Sequence, residues 1–150
     1  NIRIKVARLF NTYGPRTHPH DGRVVSSFIV QALQNMPITV FGDGRQTRSF
    51  CYVDDMVEAL VRLMATGDDF VGPVNLGNPQ ELAIKDLAHA VVAKLNSSSQ
   101  IEYRPKPADD PQIRCPDIAL AQAKLGWAPK TTLDRGLGLT IEYFRGLLSL

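Results

Sequence analysis

The chain has 150 residues, 44% of them hydrophobic and 21% charged, which supplies apolar content for one buried core and too little length for two. Its formal net charge is +2, with Arg and Lys scattered along the chain, so it lacks the basic block of a nucleic-acid binder. No run approaches the roughly 18 apolar residues of a membrane span, the opening NIRIKVARLF lacks the zones of a signal peptide, and Cys51 and Cys115 fit neither a metal-ligand spacing nor a disulfide framework; a cytoplasmic chain with reduced thiols and no bound metal is expected.

The elements alternate between short strands and helices. IKVARLF (4–10) is apolar at alternate positions and runs into the turn residues NTYGPR, so a strand is expected whose end suits a site. From Arg23 to Gln34, Val24, Val25, Phe28, Ile29, Ala32 and Leu33 fall at helical spacing after Asp21-Gly22. Pro37 closes that region and ITVF (38–41) reads as a strand. Asp54 or Asp55 is the expected N-cap of a helix carrying Met56, Val57, Leu60, Val61 and Met64, closed by Gly67. PVNLGN (73–78) holds a brief strand, and Ile84, Leu87, Ala88, Val91, Val92 and Leu95 give the clearest amphipathic face. After the Ser97–Ser99 loop, IEYR (101–104) reads as a strand. PKPADDPQIRCP, with its four prolines, is not expected to continue it. Asp117 caps a short helix ending at Gly126, and a last helix from Leu133 turns Leu137, Ile141, Phe144 and Leu148 inward. The strand at 4–10 is expected to lack parallel neighbours and to leave an exposed edge prone to association.

Chemistry then falls to the connections. Arg48 follows the Asp43-Gly44 turn and precedes Phe50 and Tyr52; a guanidinium there can grip a phosphate through two parallel N–H···O bonds. The competing reading pairs it with Asp54 or Asp55 at the surface, which spacing alone favours. Arg114 sits in a stiff loop between Pro111 and Pro116, where Asp109, Asp110 or Asp117 could simply neutralise it. Asn11 offers an amide at a strand end, or caps a turn. His18, His20 and His89 form no metal-binding pattern, and a structural or solvent-facing role is expected for them.

ARLFNTYGPR, DGRVVSSFIVQAL, ITVFGDGRQTRSFCYVDDMVEAL, NLGNP and DDPQIRCPDIALAQAKLGWAP, in this order and spacing, closely resemble the C-terminal half of the UDP-glucuronate decarboxylases. These are a branch of the NAD-dependent epimerase/dehydratase family of extended short-chain dehydrogenases. The resemblance implies an α/β fold: the C-terminal part of an NAD(P)-binding Rossmann-like enzyme with its small mixed α/β substrate-binding domain, over residues 1–150. By the same resemblance, Arg48 matches an arginine on the nucleotide-sugar diphosphate, and Thr39 and Phe41 match positions lining the uracil pocket. Asn11 falls beside sugar and diphosphate, and Thr12 and Arg23 fall near NAD. Val24, Val25, Ser26 and Phe28 form a wall of the UDP site with Ser26 as its polar contact, Asn75 matches a further substrate position, and Arg114 lies toward the sugar carboxylate, where a part in the chemistry is implied.

One departure bears on activity. The family holds NAD on a GxxGxxG turn at a helix N-terminus and uses the tyrosine of a YxxxK pair as base. Neither pattern occurs here, so the segment is expected to follow the catalytic one and to be inactive alone. For the whole enzyme the resemblance implies NAD-dependent conversion of UDP-glucuronate to UDP-xylose and carbon dioxide through a 4-keto sugar, in a homodimer. The alternatives are a fragment of a nucleotide-sugar 4-epimerase or 4,6-dehydratase, and, in another class, a noncatalytic nucleotide-sugar-binding or protein-interaction module.

Overall fold

The computed structural model describes residues 3–106 and 112–149. In chain order these form β1 (Ala7–Leu9), β2 (Thr12–Tyr13), α1 (Val24–Leu33), β3 (Ile38–Phe41), β4 (Thr47–Ser49), β5 (Cys51–Tyr52) and α2 (Val53–Met64). They continue with β6 (Val74–Leu76), β7 (Glu81–Ala83), α3 (Ile84–Leu95), β8 (Ile101–Arg104), β9 (Ile113–Arg114), α4 (Ala119–Leu125) and α5 (Leu133–Leu148).

The strands pair mostly in parallel: β1 with β6, β2 with β5, and β3 with β8, where Ile38 faces Ile101 and Phe41 faces Arg104. β4 is the centre of a three-stranded sheet, antiparallel to β7 and parallel to β9. The expected strand at 4–10 is thus shorter and has a partner in β6, and just before it Val6 accepts from Val74 N–H and donates to the Val71 carbonyl. PKPADDPQIRCP also differs from expectation: residues 107–111 lie outside the described residues, but Ile113 and Arg114 beyond them return to strand and pair with Thr47 and Arg48.

Two apolar clusters hold these pieces. α1, α3 and α5 close over β3 with Phe28, Ile29, Ile38, Val40, Leu87, Val91, Leu137 and Phe144 at their contact. α2, α4 and β6 enclose Met56, Leu63, Leu76, Leu125 and Trp127. The predicted helices at 84–95 and from Leu133 are observed, the latter capped by Thr132, whose Oγ1 accepts from the Arg135 N–H. Gly126 ends α4 in the left-handed region as expected, but Ile118 and not Asp117 holds the N-cap position; Asp117 Oδ1 accepts from Ala119 N–H one residue ahead of the cap.

The start of α2 is a correction. Tyr52 occupies the cap, without a side-chain bond, and Asp54 and Asp55 both lie in the first turn. The Asp55 carboxylate is turned away from its own helix and accepts the backbone N–H groups of Lys130 and Thr131 at 3.2 and 2.9 Å. Trp127 Nε1–H donates to the Asp55 carbonyl, so this one residue pins the chain after α4. The helix ends at Met64, not at Gly67; Lys5 closes that end by donating to the carbonyls of Thr66, Gly67 and Phe70.

Candidate functional site

Where the two clusters meet, α1, β2, β3, β4 and α2 leave a cleft of about 1050 Å³. Alternation along β4 turns Arg48 into it while Thr47 and Ser49 point elsewhere. Arg48 is 7% exposed, and its Nη1–H donates to the carbonyls of Thr47 and Gln112 at 2.7 and 3.3 Å. The surface pairing that spacing favoured is not what is observed: among the described residues neither Asp54 nor Asp55 is its ion-pair partner. The parallel register sets Arg114 directly beside Arg48, and both line the cleft. Arg114 is exposed, and the Asp117 carboxylate suspected of neutralising it accepts from Ala119 instead. Asp109 and Asp110 lie outside the described residues.

Asn11 and Thr12 line the cleft from the β1 to β2 connection, held there because the Asn11 carbonyl accepts from Cys51 N–H and Thr12 Oγ1 donates to the Phe10 carbonyl. Arg23 reaches back to the Thr12 carbonyl at 3.4 Å and pairs with Asp21, which brings both proposed cofactor residues to one corner. Val24, Val25, Ser26 and Phe28 form the α1 wall. The Ser26 hydroxyl already donates locally, toward Asp21 and the Arg23 carbonyl, so its lone pairs are what it offers a ligand. From β3 come Thr39, tied to Gln31 through both backbone and hydroxyl, and Phe41, whose ring is half exposed at the rim.

Asn75 does not join them. Its Nδ2–H donates to the Asp117 carbonyl at 3.1 Å, linking β6 to the start of α4, and it is not among the residues lining the cleft.

Gln46 is a lining residue the sequence reading passed over. It is 5% exposed, donates to the Phe41 carbonyl at 2.7 Å, and stands two positions before Arg48, so strand alternation alone puts it on the same face. Met56, Val57 and Leu60, legible in the sequence as part of a helical stripe, and Val53, which was not, form an apolar wall of the cleft. At the cleft wall, burial pushes the Tyr13 hydroxyl well above its ordinary value, with Cys51, Tyr52 and Asp55 adding to the effect. Burial, then Asp55, raises the Cys51 thiol to about 12. Both stay neutral at ordinary pH. His18 and His20 stack edge to face and share a bond from His20 N–H to His18 Nδ1, and among the described residues no His, Cys, Asp and Glu group is arranged to hold a metal ion.

Fold and cleft together define an α/β protein with a cleft into which arginines project between apolar and aromatic side chains. More particularly, the chain belongs to the NAD dependent epimerase/dehydratase family, whose description matches residues 1–77. It is 51% identical over 145 residues to UDP-glucuronic acid decarboxylase 4 of Arabidopsis thaliana, covering 97% of this chain and 32% of the relative. Identity to UDP-glucuronic acid decarboxylase 1 of Xenopus tropicalis is 50%, over 96% of this chain and 34% of that one. Among solved structures, UDP-glucose 4-epimerase of Thermotoga maritima with UDP-glucose superimposes with a TM-score of 0.90 at 34% identity, over 96% of this chain and 46% of that chain. UDP-glucuronic acid 4-epimerase of Bacillus cereus, in complex with UDP-glucuronic acid and NAD, gives 0.90 at 30% identity, over 97% and 46%. The α/β Rossmann-like class expected from the sequence is therefore the class observed, and the chain spans about a third of the length of these curated relatives.

Proposed function

We propose that this chain forms the UDP-sugar-holding part of an NAD-dependent UDP-glucuronate decarboxylase, which yields UDP-xylose and carbon dioxide. The observation that carries the reading is the in-register placement of Arg48 and Arg114 on β4 and β9, facing one cleft. A diphosphate presents several anionic oxygens across a few ångströms, and two neighbouring guanidinium forks match it better than flexible ammonium groups. Identity of about half to decarboxylases, against about a third to the epimerases, favours decarboxylation over epimerisation.

Within this arrangement Arg48 is the fixed anchor, since burial and two carbonyl acceptors restrain it. Arg114, exposed at the same rung, reaches the sugar end. Phe41 gives the nucleobase a flat apolar face, and Asn11 addresses the sugar. Bound NAD supplies a reversible hydride acceptor at the sugar. Thr12 and Arg23 make a polar, cationic corner suited to an anionic cofactor, while the turn that would cradle its pyrophosphate is not found in this sequence. The chain's own work is grip and orientation, which convert encounter into a positioned reactant.

The test is product analysis with UDP-glucuronate and NAD, using the protein at its full natural length and, separately, residues 1–150. The full-length protein should release carbon dioxide and form UDP-xylose, and the 150-residue chain should bind UDP-sugar without turnover. A C4-epimerised product with no carbon dioxide would establish the epimerase reading that the structural neighbours favour.

A further inference from the structure

The cleft has an inner arm that the nucleotide-sugar reading does not use. Its lining runs past the arginines to Tyr13 of β2, to Phe50, to Ile84 at the start of α3, and to Thr140 and Phe144 of α5. None of these five is charged, and two of them carry hydroxyls. Tyr13 and Thr140 are 4% and 1% exposed. Edge contacts with Phe50 and Tyr52 fix the Tyr13 ring, and its hydroxyl lies against α5 at Gly136, where a Cβ would stand 2.1 Å from it. Thr140 follows one helical turn later, and its Oγ1 donates to the Gly136 carbonyl at 2.6 Å. Both hydroxyls therefore meet the same turn of α5 in complementary states. Thr140 has given its proton and keeps its lone pairs, whereas the Tyr13 hydroxyl has no hydrogen-bond partner among the described residues. Burial keeps that hydroxyl protonated. A buried donor without an acceptor carries the full cost of its lost hydration, and an acceptor arriving through the cleft removes that cost.

We propose that this inner arm is a second binding site, for a small neutral molecule that is mostly ring or hydrocarbon and carries one hydroxyl. Its oxygen accepts from Tyr13, its own proton goes to Thr140 Oγ1, and Phe50, Ile84 and Phe144 enclose its apolar body. The proposal stands apart from the nucleotide-sugar reading and does not depend on it. Water competes poorly for the place, because two hydroxyls are the fewest partners that hold a buried water. An organic occupant meets the same two oxygens and also covers the apolar walls, which water cannot do. Phenol is the simplest member of the class, and toluene is its counterpart without the hydroxyl.

Calorimetric titration of the protein at its full natural length with phenol and toluene, in the absence and presence of saturating UDP, tests this. Wild type should bind phenol, and UDP should leave that affinity within about twofold. Tyr13→Phe should weaken phenol about fivefold, the scale of one neutral hydrogen bond, while toluene stays within about twofold. Because the substitution removes a hydroxyl without a partner, Tyr13→Phe should melt no earlier than wild type, which separates a lost contact from a damaged fold. Absence of phenol binding, or equal effects of Tyr13→Phe on phenol and toluene, would overturn the site. Displacement of phenol by UDP would also overturn it, by assigning the arm to the nucleotide sugar. Binding of phenol by a protein that fails to bind UDP would uphold the arm and sink the nucleotide-sugar reading alone.

Discussion

Single residues decide most about this cleft. Arg48 and Arg114 share a rung but differ in burial, and the difference predicts different kinetics. Under the proposed activity, Arg48→Ala in the full-length protein should weaken binding of substrate and transition state alike, by roughly 1.5 to 3 kcal/mol for a charged hydrogen bond. Arg114→Ala should lower kcat more than it raises KM, and Arg114→Lys should restore little, because an ammonium cannot reproduce the planar fork. Turnover near wild type in both Arg114 variants would show that it serves charge balance alone. Gly136 is constrained as tightly as any side chain: a Cβ there would stand 2.1 Å from the Tyr13 hydroxyl and 3.0 Å from the Tyr52 ring. Tyr13 is buried against Phe50 and Tyr52 in edge contacts and lines the cleft, so it has little room to yield. Overpacking of about 1 to 3 kcal/mol then outweighs the helix-propensity gain of about 1 kcal/mol. Gly136→Ala should lower the urea midpoint, and a raised midpoint would mean the ring swings aside. The two thiols differ as well. Cys51 is held to about 12 from an ordinary 9.0 and is buried, whereas Cys115 is exposed, so one thiol should react with a disulfide reagent before unfolding and two after it. Because the unfolded chain releases the Cys51 proton from about pH 9 while the folded chain keeps it to about 12, stability is full below pH 9 and falls as pH rises through that window.

At the scale of elements, what was legible depended on length. Helices of 10 to 16 residues such as α1, α3 and α5 carry a full apolar period, and the sequence marks them. β2, β5 and β9 have two residues each, too few for alternation to register, and they exist because distant segments pair with them. The site followed the same rule. Spacing alone left Arg48 as a surface ion pair, since burial in a central strand is set by β7 and β9, 33 or more positions away. Family resemblance recovered Arg48, Arg114, Asn11, Thr12 and the α1 wall as neighbours of one cleft, but misplaced Asn75 and omitted Gln46. Asp55 is the clearest physical lesson: local sequence reads it as a cap, whereas its carboxylate serves N–H groups 75 and 76 positions on. Asp55→Ala should therefore cost about 1 to 3 kcal/mol by leaving two part-buried donors without their acceptor, and exposed Asp54→Ala less than about 0.5 kcal/mol. Denaturant titration of the two variants side by side checks the contrast, which equal losses would contradict.

For the molecule as a whole, pairing of β1 with β6 removes part of the exposed edge anticipated at residues 4–10, but an apolar surface remains. Ile4, Val6 and Leu9 are exposed at β1 and its approach, and Val57, Val61 and Met64 form a solvent-facing stripe along α2. Val61 and Met64 are 63% and 66% exposed, far more than their chemistry favours. The 150-residue chain in isolation should self-associate as its concentration rises, and Val61→Lys with Met64→Lys should reduce this while leaving the melting temperature within a few degrees. Sedimentation of a strict monomer across the micromolar range would rule the idea out.

The parallel pairing of β4 with β9 has a thermodynamic side. Strands in a sheet lie about 4.8 Å apart, so the in-register pair sets the Arg48 and Arg114 side chains on one rung, the second of them on a strand of two residues. A dianion bridging the two side chains would clasp β9 to β4. Ligand and fold then share one free energy: pyrophosphate at a hundred times its Kd should add about 2.7 kcal/mol to stability. Arg114→Ala should gain far less than wild type when anion is added, which makes the melting curve a direct reading of how the site is wired into the sheet.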